Sequence, residues 1–233
     1  VTSYRAEVRN AQAAARLGLP VLRFHARGHG DSAGDFADVT LASLVDDALA
    51  AAACARDLSG SRRVAWLGVR FGALVAAEAV RREGDAAALV LWEPVHRPPE
   101  YFRSMLRGML YSQVAQGRRP DASVDDLIGA IAREGRIDVH GYYLHRALFD
   151  SARDADLAAS LSAWAGPTLL CQVQVRQRLW SPHAALAHAL AGRGVKVATA
   201  QVHAEPGWHF VSNPPWLGEG LVERTAEWLD ALA

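Results

Sequence analysis

The stretch Val64-Ala65-Trp66-Leu67-Gly68-Val69-Arg70-Phe71-Gly72-Ala73 decides how this chain is read. Val64 to Leu67 is a short apolar run of the kind that forms a buried strand, and Phe71 to Arg82 carries the spacing of a helix. Gly68 and Gly72 bracket Arg70 between them. A strand that turns this sharply into a helix leaves little room for Cβ atoms beside its apex and holds the apex residue in a strained backbone conformation. Arg70 is that apex. Ala73, also small, lets the helix approach the strand.

Outward from this turn the chain alternates apolar runs with helical patterns, which predicts an α/β fold with a mostly parallel sheet and flanking helices. Upstream, Arg5 to Leu17 reads as a helix ended by Gly18 and Pro20. Val21 to Phe24 reads as a strand, and Arg27 to Gly34 as a Gly-rich loop. Leu41 to Ala55 reads as a helix with Thr40 as its N-cap. Downstream, Ala87 to Trp92 is nearly all apolar, as in a strand covered on both faces. From 98 to 164 the patterns are helical, at 100–116, 123–133, 142–150 and 157–164. This segment is expected to form a helical cap inserted into a core made of residues 1–97 and 165–233. The sheet resumes with Thr168 to Val173, followed by a helix at 182–190, a strand at 195–202 and a closing helix at 218–232.

Three segments together resemble the α/β-hydrolase superfamily. The first is Phe24-His25-Ala26-Arg27-Gly28-His29-Gly30-Asp31-Ser32, similar to that family's strand and Asp-x-x-Gly-x-Gly-x-Ser loop, with His25 in place of the usual Asp. The second is Gly68-Val69-Arg70-Phe71-Gly72, a Gly-x-Ser-x-Gly nucleophile elbow with arginine at the serine position. The third is Gly207-Trp208-His209-Phe210, after the last strand, where the family's catalytic His usually lies. Leu89 to Val95 and Gly141 to Leu144 further resemble the second type of hydrolase associated with exosortase A systems, a group that tends to place Arg at the elbow. The resemblance implies an α/β-hydrolase-like sheet with strands ahead of the helix at 5–17, and the N-terminal strands are expected to be missing because the chain opens almost in that helix.

Serine hydrolysis needs an oxygen nucleophile, a base to take its proton and an acid to orient that base. A guanidinium is a cation with five donors and no acceptor, so Arg70 supplies no nucleophile. The residues after Val173, Gln174 to Trp180, contain no Asp or Glu. Glu93, directly after the strand at 87–92, is the substitute acid, and His209 is preferred over His203 as the base. These two are the candidate catalytic residues. Arg70, Phe71 and His25 are the candidate ligand-binding residues. Arg70 stands at the start of a helix whose free N–H groups and dipole favour an anion, and its planar fork would grip a carboxylate or phosphate. The competing reading is a structural Arg70 neutralised by Glu93.

Other residues read as structural: Ser32 in its loop, Cys171 mid-strand, His29, and the aromatic and Met residues at 101, 102, 105, 109 and 111 as helix packing. His96, His140 and His145 have no metal spacing, and Gly28-x-Gly30 lacks the full dinucleotide fingerprint, so neither metal nor cofactor is expected.

The 233 residues suit one domain with an inserted cap. Basic and acidic residues balance at 25 each, so no global field points to nucleic acid. Lys196 is the only lysine, a bias that reads as genome composition. No apolar run approaches the roughly 20 residues of a membrane span. Two distant cysteines, Cys54 and Cys171, fit a reducing cytoplasm better than a disulfide scaffold. The partner expected is a small, anionic molecule, with a homo-oligomer compatible. Three functional readings follow. One is a divergent α/β-hydrolase homologue without serine hydrolase activity that binds an anion. Another is a hydrolase with a non-serine mechanism through His209 and Glu93. The third is a non-catalytic scaffold of an exosortase or polysaccharide system.

Overall fold

The computed structural model describes residues 3–175, 178–204, 208 and 218–232. Helix α1 (Tyr4–Arg16) opens the chain and ends on Gly18, whose φ of 79° suits glycine. Helix α2 (Leu41–Ser59) starts with a reciprocal capping box between Thr40 and Ser43. Strand β1 (Val64–Val69) runs into helix α3 (Phe71–Glu83), and β2 (Ala86–Trp92) follows. Helices α4 (Pro98–Ala115) and α5 (Val124–Glu134) lead to a hairpin of β3 (Arg136–Val139) and β4 (Tyr142–His145). After the short helices α6 (Arg146–Ser151) and α7 (Leu157–Ser160) come β5 (Thr168–Val173), α8 (Ser181–Ala191), β6 (Val197–Val202) and α9 (Glu219–Asp230).

The main sheet has the order β1-β2-β5-β6, and all its neighbours are parallel. Successive side chains of β2 and β5 go to opposite faces, as a strand requires. Leu89, Leu91 and Leu170 enter a large core with α2, α3 and α8. Val90, Trp92, Leu169, Cys171 and Val173 enter a second core closed by α1 and α9. Apolar burial on both faces is why these strands read as unbroken hydrophobic runs. The buried Trp92 indole N–H donates to Thr225 Oγ1 at 2.9 Å and ties the sheet centre to α9.

Two expectations are corrected. Val21 to Phe24 forms no strand. These residues make no backbone–backbone hydrogen bond among the described residues, and Val21, Leu22 and Phe24 are exposed. The apolar run has strand composition but no neighbour to pair with, and pairing is what defines a strand. The second correction concerns 98–164, where only helices were expected. Arg136 to Val139 alternates exposed and buried, and His140 and Gly141 sit at φ 55° and 84°, as a two-residue hairpin turn demands. Asp138 Oδ1 accepts the Gly141 N–H at 2.9 Å and fixes the turn. The helix expected over 142–150 is thus a strand followed by a short helix.

Phe102, Leu106, Ile131, Ile137, Leu144 and Leu157 pack into the same apolar cluster as α2 and α3. Among the described residues no helix is long and apolar enough to cross a membrane.

Candidate functional site at the elbow

Arg70 stands between β1 and α3 with φ 54° and ψ −116°, a conformation that costs a non-glycine residue about 1–3 kcal/mol. Its backbone is locked from both sides. The Arg70 N–H donates to Trp92 O at 2.9 Å, and its carbonyl accepts from Ala73 N (3.1 Å) and Val95 N (3.2 Å). Gly68 is obligatory, since a Cβ there would lie 2.4 Å from Ala73 Cα and 2.5 Å from Gly72 O. Gly72 is not, because a Cβ there would meet nothing within 4 Å. The turn is therefore crowded on its strand side only.

Glu93, the first residue past β2, is also at positive φ (46°). Its N–H donates to Cys171 O at 2.8 Å, and its Oε1 accepts the Val173 N–H at 2.5 Å, so β5 holds both ends of the residue. Arg70 and Glu93 do come together, as the sequence suggested, but loosely. Arg70 Nη1 lies 3.7 Å from Glu93 Oε2 and 3.5 Å from the Glu93 carbonyl. These lengths are at or beyond the edge of a hydrogen bond. The guanidinium also stands over the Tyr101 ring, 5.5 Å from its centroid, and remains 24% exposed. Phe71, next in sequence, packs against Tyr101 and Phe102. The N–H groups of Phe71 and Gly72, at the start of α3, have no acceptor among the described residues. An elbow of free N–H groups beside a weakly engaged guanidinium is a donor-rich surface.

Two histidines complete the cluster, and sequence reasoning missed both. His183 on α8 is 1% exposed, and its Nε2 lies 3.6 Å from Glu93 Oε2. That nitrogen has no hydrogen-bond partner among the described residues. His183 Nδ1 is 2.7 Å from His96 Nε2. Trp180 packs edge-on against both rings. Gln172, buried on β5, positions Trp180 by accepting its N–H at 2.6 Å. Burial pushes the His96 imidazole down to about 4, with the neighbouring His183 adding to the effect. The order of the cluster is Arg70, Glu93, His183, His96. His96 was dismissed in sequence for want of metal spacing, and His183 showed no signal: it is one of two histidines in an alanine- and leucine-rich helix, and its partners lie 87 and 90 positions away.

The remaining candidates lie elsewhere. His25 is exposed, its ring lies against Gly30, and no contact joins it to Arg70. Its carbonyl accepts the Ser32 hydroxyl at 2.8 Å, so Ser32 serves its own loop. Gly28 is required there, because a Cβ would sit 2.7 Å from Phe36 N. Arg27 anchors the loop on α2 by donating to Asp47, with Nη2 2.6 Å from Oδ1, and this bond holds the Asp47 carboxyl below the usual range. Burial pushes the Cys171 thiol up to about 12, which leaves it an inert core residue. His209 lies outside the described residues, as do Gly207 and Phe210. Among the described residues no group of three or more His, Cys, Asp or Glu is placed to hold a metal ion.

The sequence model of the family described as serine aminopeptidase, S33, matches residues 4–150, which include the Gly-rich loop and the elbow. The chain belongs to this family of α/β-hydrolases. Solved structures agree on the fold. Est1E from Butyrivibrio proteoclasticus, with ferulic acid bound, superposes with a TM-score of 0.71 at 18% identity, covering 97% of this chain and 82% of Est1E. An esterase of Pyrococcus furiosus gives 0.65 at 19% identity, over 98% of this chain and 76% of its own. The N-formylmaleamic acid deformylase of Pseudomonas putida gives 0.51 at 18% identity, over 94% and 86%. No curated protein matches the chain. The chain carries Arg70 at the tight turn between β1 and α3.

Proposed function

We propose that this S33-family hydrolase homologue uses its elbow to bind a small anion, and that it lacks classical serine hydrolase activity. The observation that carries the reading is the loose engagement of Arg70. A buried structural ion pair is normally closed by short, charge-assisted hydrogen bonds of about 2.7–2.9 Å. Arg70 instead faces Glu93 at 3.7 Å, partly exposed, while Glu93 spends its other oxygen on the β5 backbone. A carboxylate or phosphate at the start of α3 would take two guanidinium N–H groups and the N–H groups of Phe71 and Gly72. Residues 98–164 are assigned as the cap over this site, and residues 1–97 and 165–233 as the core. The segments Leu89 to Val95 and Gly141 to Leu144 support placing the protein with the second type of exosortase A-associated hydrolase, and the two distant cysteines support a reducing bacterial cytoplasm.

Two chemical tests bear on this. Serine-directed phosphonate probes should leave the protein unlabelled, because the apex has no hydroxyl. Arg70→Ser should fold and still turn over esters poorly, because Gln174 to Trp180 supply no acid. Stoichiometric labelling that disappears in Ser32→Ala would replace the reading with one in which Ser32 is the nucleophile. Ester turnover by Arg70→Ser near that of an ordinary esterase would make Glu93 and a histidine a competent dyad.

A further inference from the structure

Glu93 Oε2 stands between two groups and is hydrogen-bonded to neither. Arg70 Nη1 lies 3.7 Å to one side and His183 Nε2 lies 3.6 Å to the other. The other carboxylate oxygen is fixed on Val173 N, so Oε2 moves only by rotation about a tethered end. His183 is sealed from solvent, and its Nε2 aims at this oxygen with no partner of its own among the described residues. A buried polar atom left unpaired is costly, and here the nearest acceptor is the carboxylate it almost reaches. Arg70 and Glu93 cancel in charge as they stand. An anion seated on Arg70 would leave one surplus negative charge beside the sealed His183 ring and the half-buried His96 ring, where water screens it less than at the surface. A negative charge at this range favours the protonated form of an imidazole.

We infer that the elbow takes a monoanion together with one proton: the anion binds Arg70, Glu93 turns to His183, and the proton enters the His183–His96 pair. The inference rests on the anion-binding reading of Arg70 and narrows it to the conjugate bases of weak monobasic acids, carboxylates above all. A dianion would leave a second charge uncompensated. No bond between heavy atoms forms or breaks; the proton comes from solution and adds to an imidazole nitrogen lone pair. The charged and titratable groups around the pair are few among the described residues. Glu93 and, behind it, Arg70 face His183. Asp156, at the start of α7, acts on His96 and is itself 3.8 Å from Arg97. Cys171 beside Glu93 stays a neutral thiol. Burial keeps His96 uncharged in the free protein near neutrality, so the second ring is empty when the anion arrives.

The sign follows from linkage. A group that gains proton affinity on binding makes the anion bind more tightly as pH falls, by at most about tenfold per unit. The test is an acetate titration of the whole chain between pH 6 and 8, where acetate stays ionised. Imidazole nitrogen chemical shifts are followed by NMR together with the acetate dissociation constant. Saturating acetate should move His183 or His96 signals toward imidazolium values, and Kd should fall several-fold from pH 7.5 to 6.5. His183→Gln should flatten the pH dependence of acetate binding, since an amide still faces Glu93 but cannot titrate. Acetate binding that is lost in Arg70→Met, with unmoved imidazole signals and a flat wild-type profile, overturns the proton coupling and leaves the clamp standing. Binding that is absent, or that survives Arg70→Met, overturns the clamp and the coupling together. The wild-type spectra decide the matter even if His183→Gln fails to fold.

Discussion

The elbow makes opposite demands on its two glycines, and paired substitutions should reveal this. In Gly68→Ala the new Cβ would lie 2.4 Å from Ala73 Cα and 2.7 Å from Ala73 N, against 3.4 Å or more in ordinary contact. The obstacle is helix backbone, which cannot rotate away as a side chain would. Relief requires the start of α3 to lift from β1 by about an ångström. That movement would also strain the bonds that Ala73 N and Val95 N make to the Arg70 carbonyl. Overpacking of this kind costs about 1–3 kcal/mol, and the lost bonds place this site at the upper end. Gly72→Ala meets open space at a helical position and should gain up to about 1 kcal/mol from helix propensity. In a chain of this size each kcal/mol moves the melting temperature by about 2–4 °C. Thermal melts followed by circular dichroism should show Gly68→Ala falling by about 5–10 °C and Gly72→Ala level with wild type or slightly above it. A Gly68→Ala melt within about a degree of wild type, or no lower than that of Gly72→Ala, would refute the tight turn.

Other outcomes follow from the polar groups of the core. Thr225→Val keeps the shape of the side chain but strands the buried Trp92 N–H, and denaturant unfolding should show a loss of about 1–3 kcal/mol, whereas Thr225→Ser should recover most of it. His96 has its folded value depressed to about 4, below the ordinary 6.5, so its neutral form is the one the fold favours. Its contribution is intact above pH 6.5 and is lost as pH falls toward 4. The loss is at most about 3 kcal/mol, and less for the part of the ring that water reaches. Melts between pH 7 and 4 should fall more steeply in the wild type than in His96→Gln, and equal slopes would remove His96 from the acid response.

The fold was legible in the sequence wherever burial on both faces forced unbroken apolar runs. Thr168 to Val173 and the strand before Glu93 are the clearest cases. The N-cap at Thr40 and the helix stop at Gly18 are local chemistry, which sequence carries directly. The hairpin of Arg136 to His145 was overlooked because four-residue strands offer little periodicity, although Asp138, His140 and Gly141 announced the turn. Val21 to Phe24 misled because strand composition says nothing about a neighbour. At the site, Arg70 and Glu93 were readable, since each ends a strand at the same edge of the sheet. His183 was not, because it reaches Glu93 and His96 only through the tertiary packing of α8, which rests against β6, a contact with no local signature. Gly72 shows the reverse error: a motif glycine that this chain does not need for space.

Glu93→Gln decides between a clamp and an inert ion pair. Glutamine keeps an oxygen for Val173 N and removes the charge that competes for Arg70. Thermal melts of wild type and variant would be compared with and without acetate at concentrations up to about 100 times its dissociation constant, where a bound ligand adds roughly 2.7 kcal/mol. The account predicts a variant that folds, melts near wild type and gains more from acetate than wild type does, with the gain abolished when Arg70→Met is added. A variant destabilised by several kcal/mol with no response to acetate would contradict it and make Arg70 a structural cation that needs Glu93.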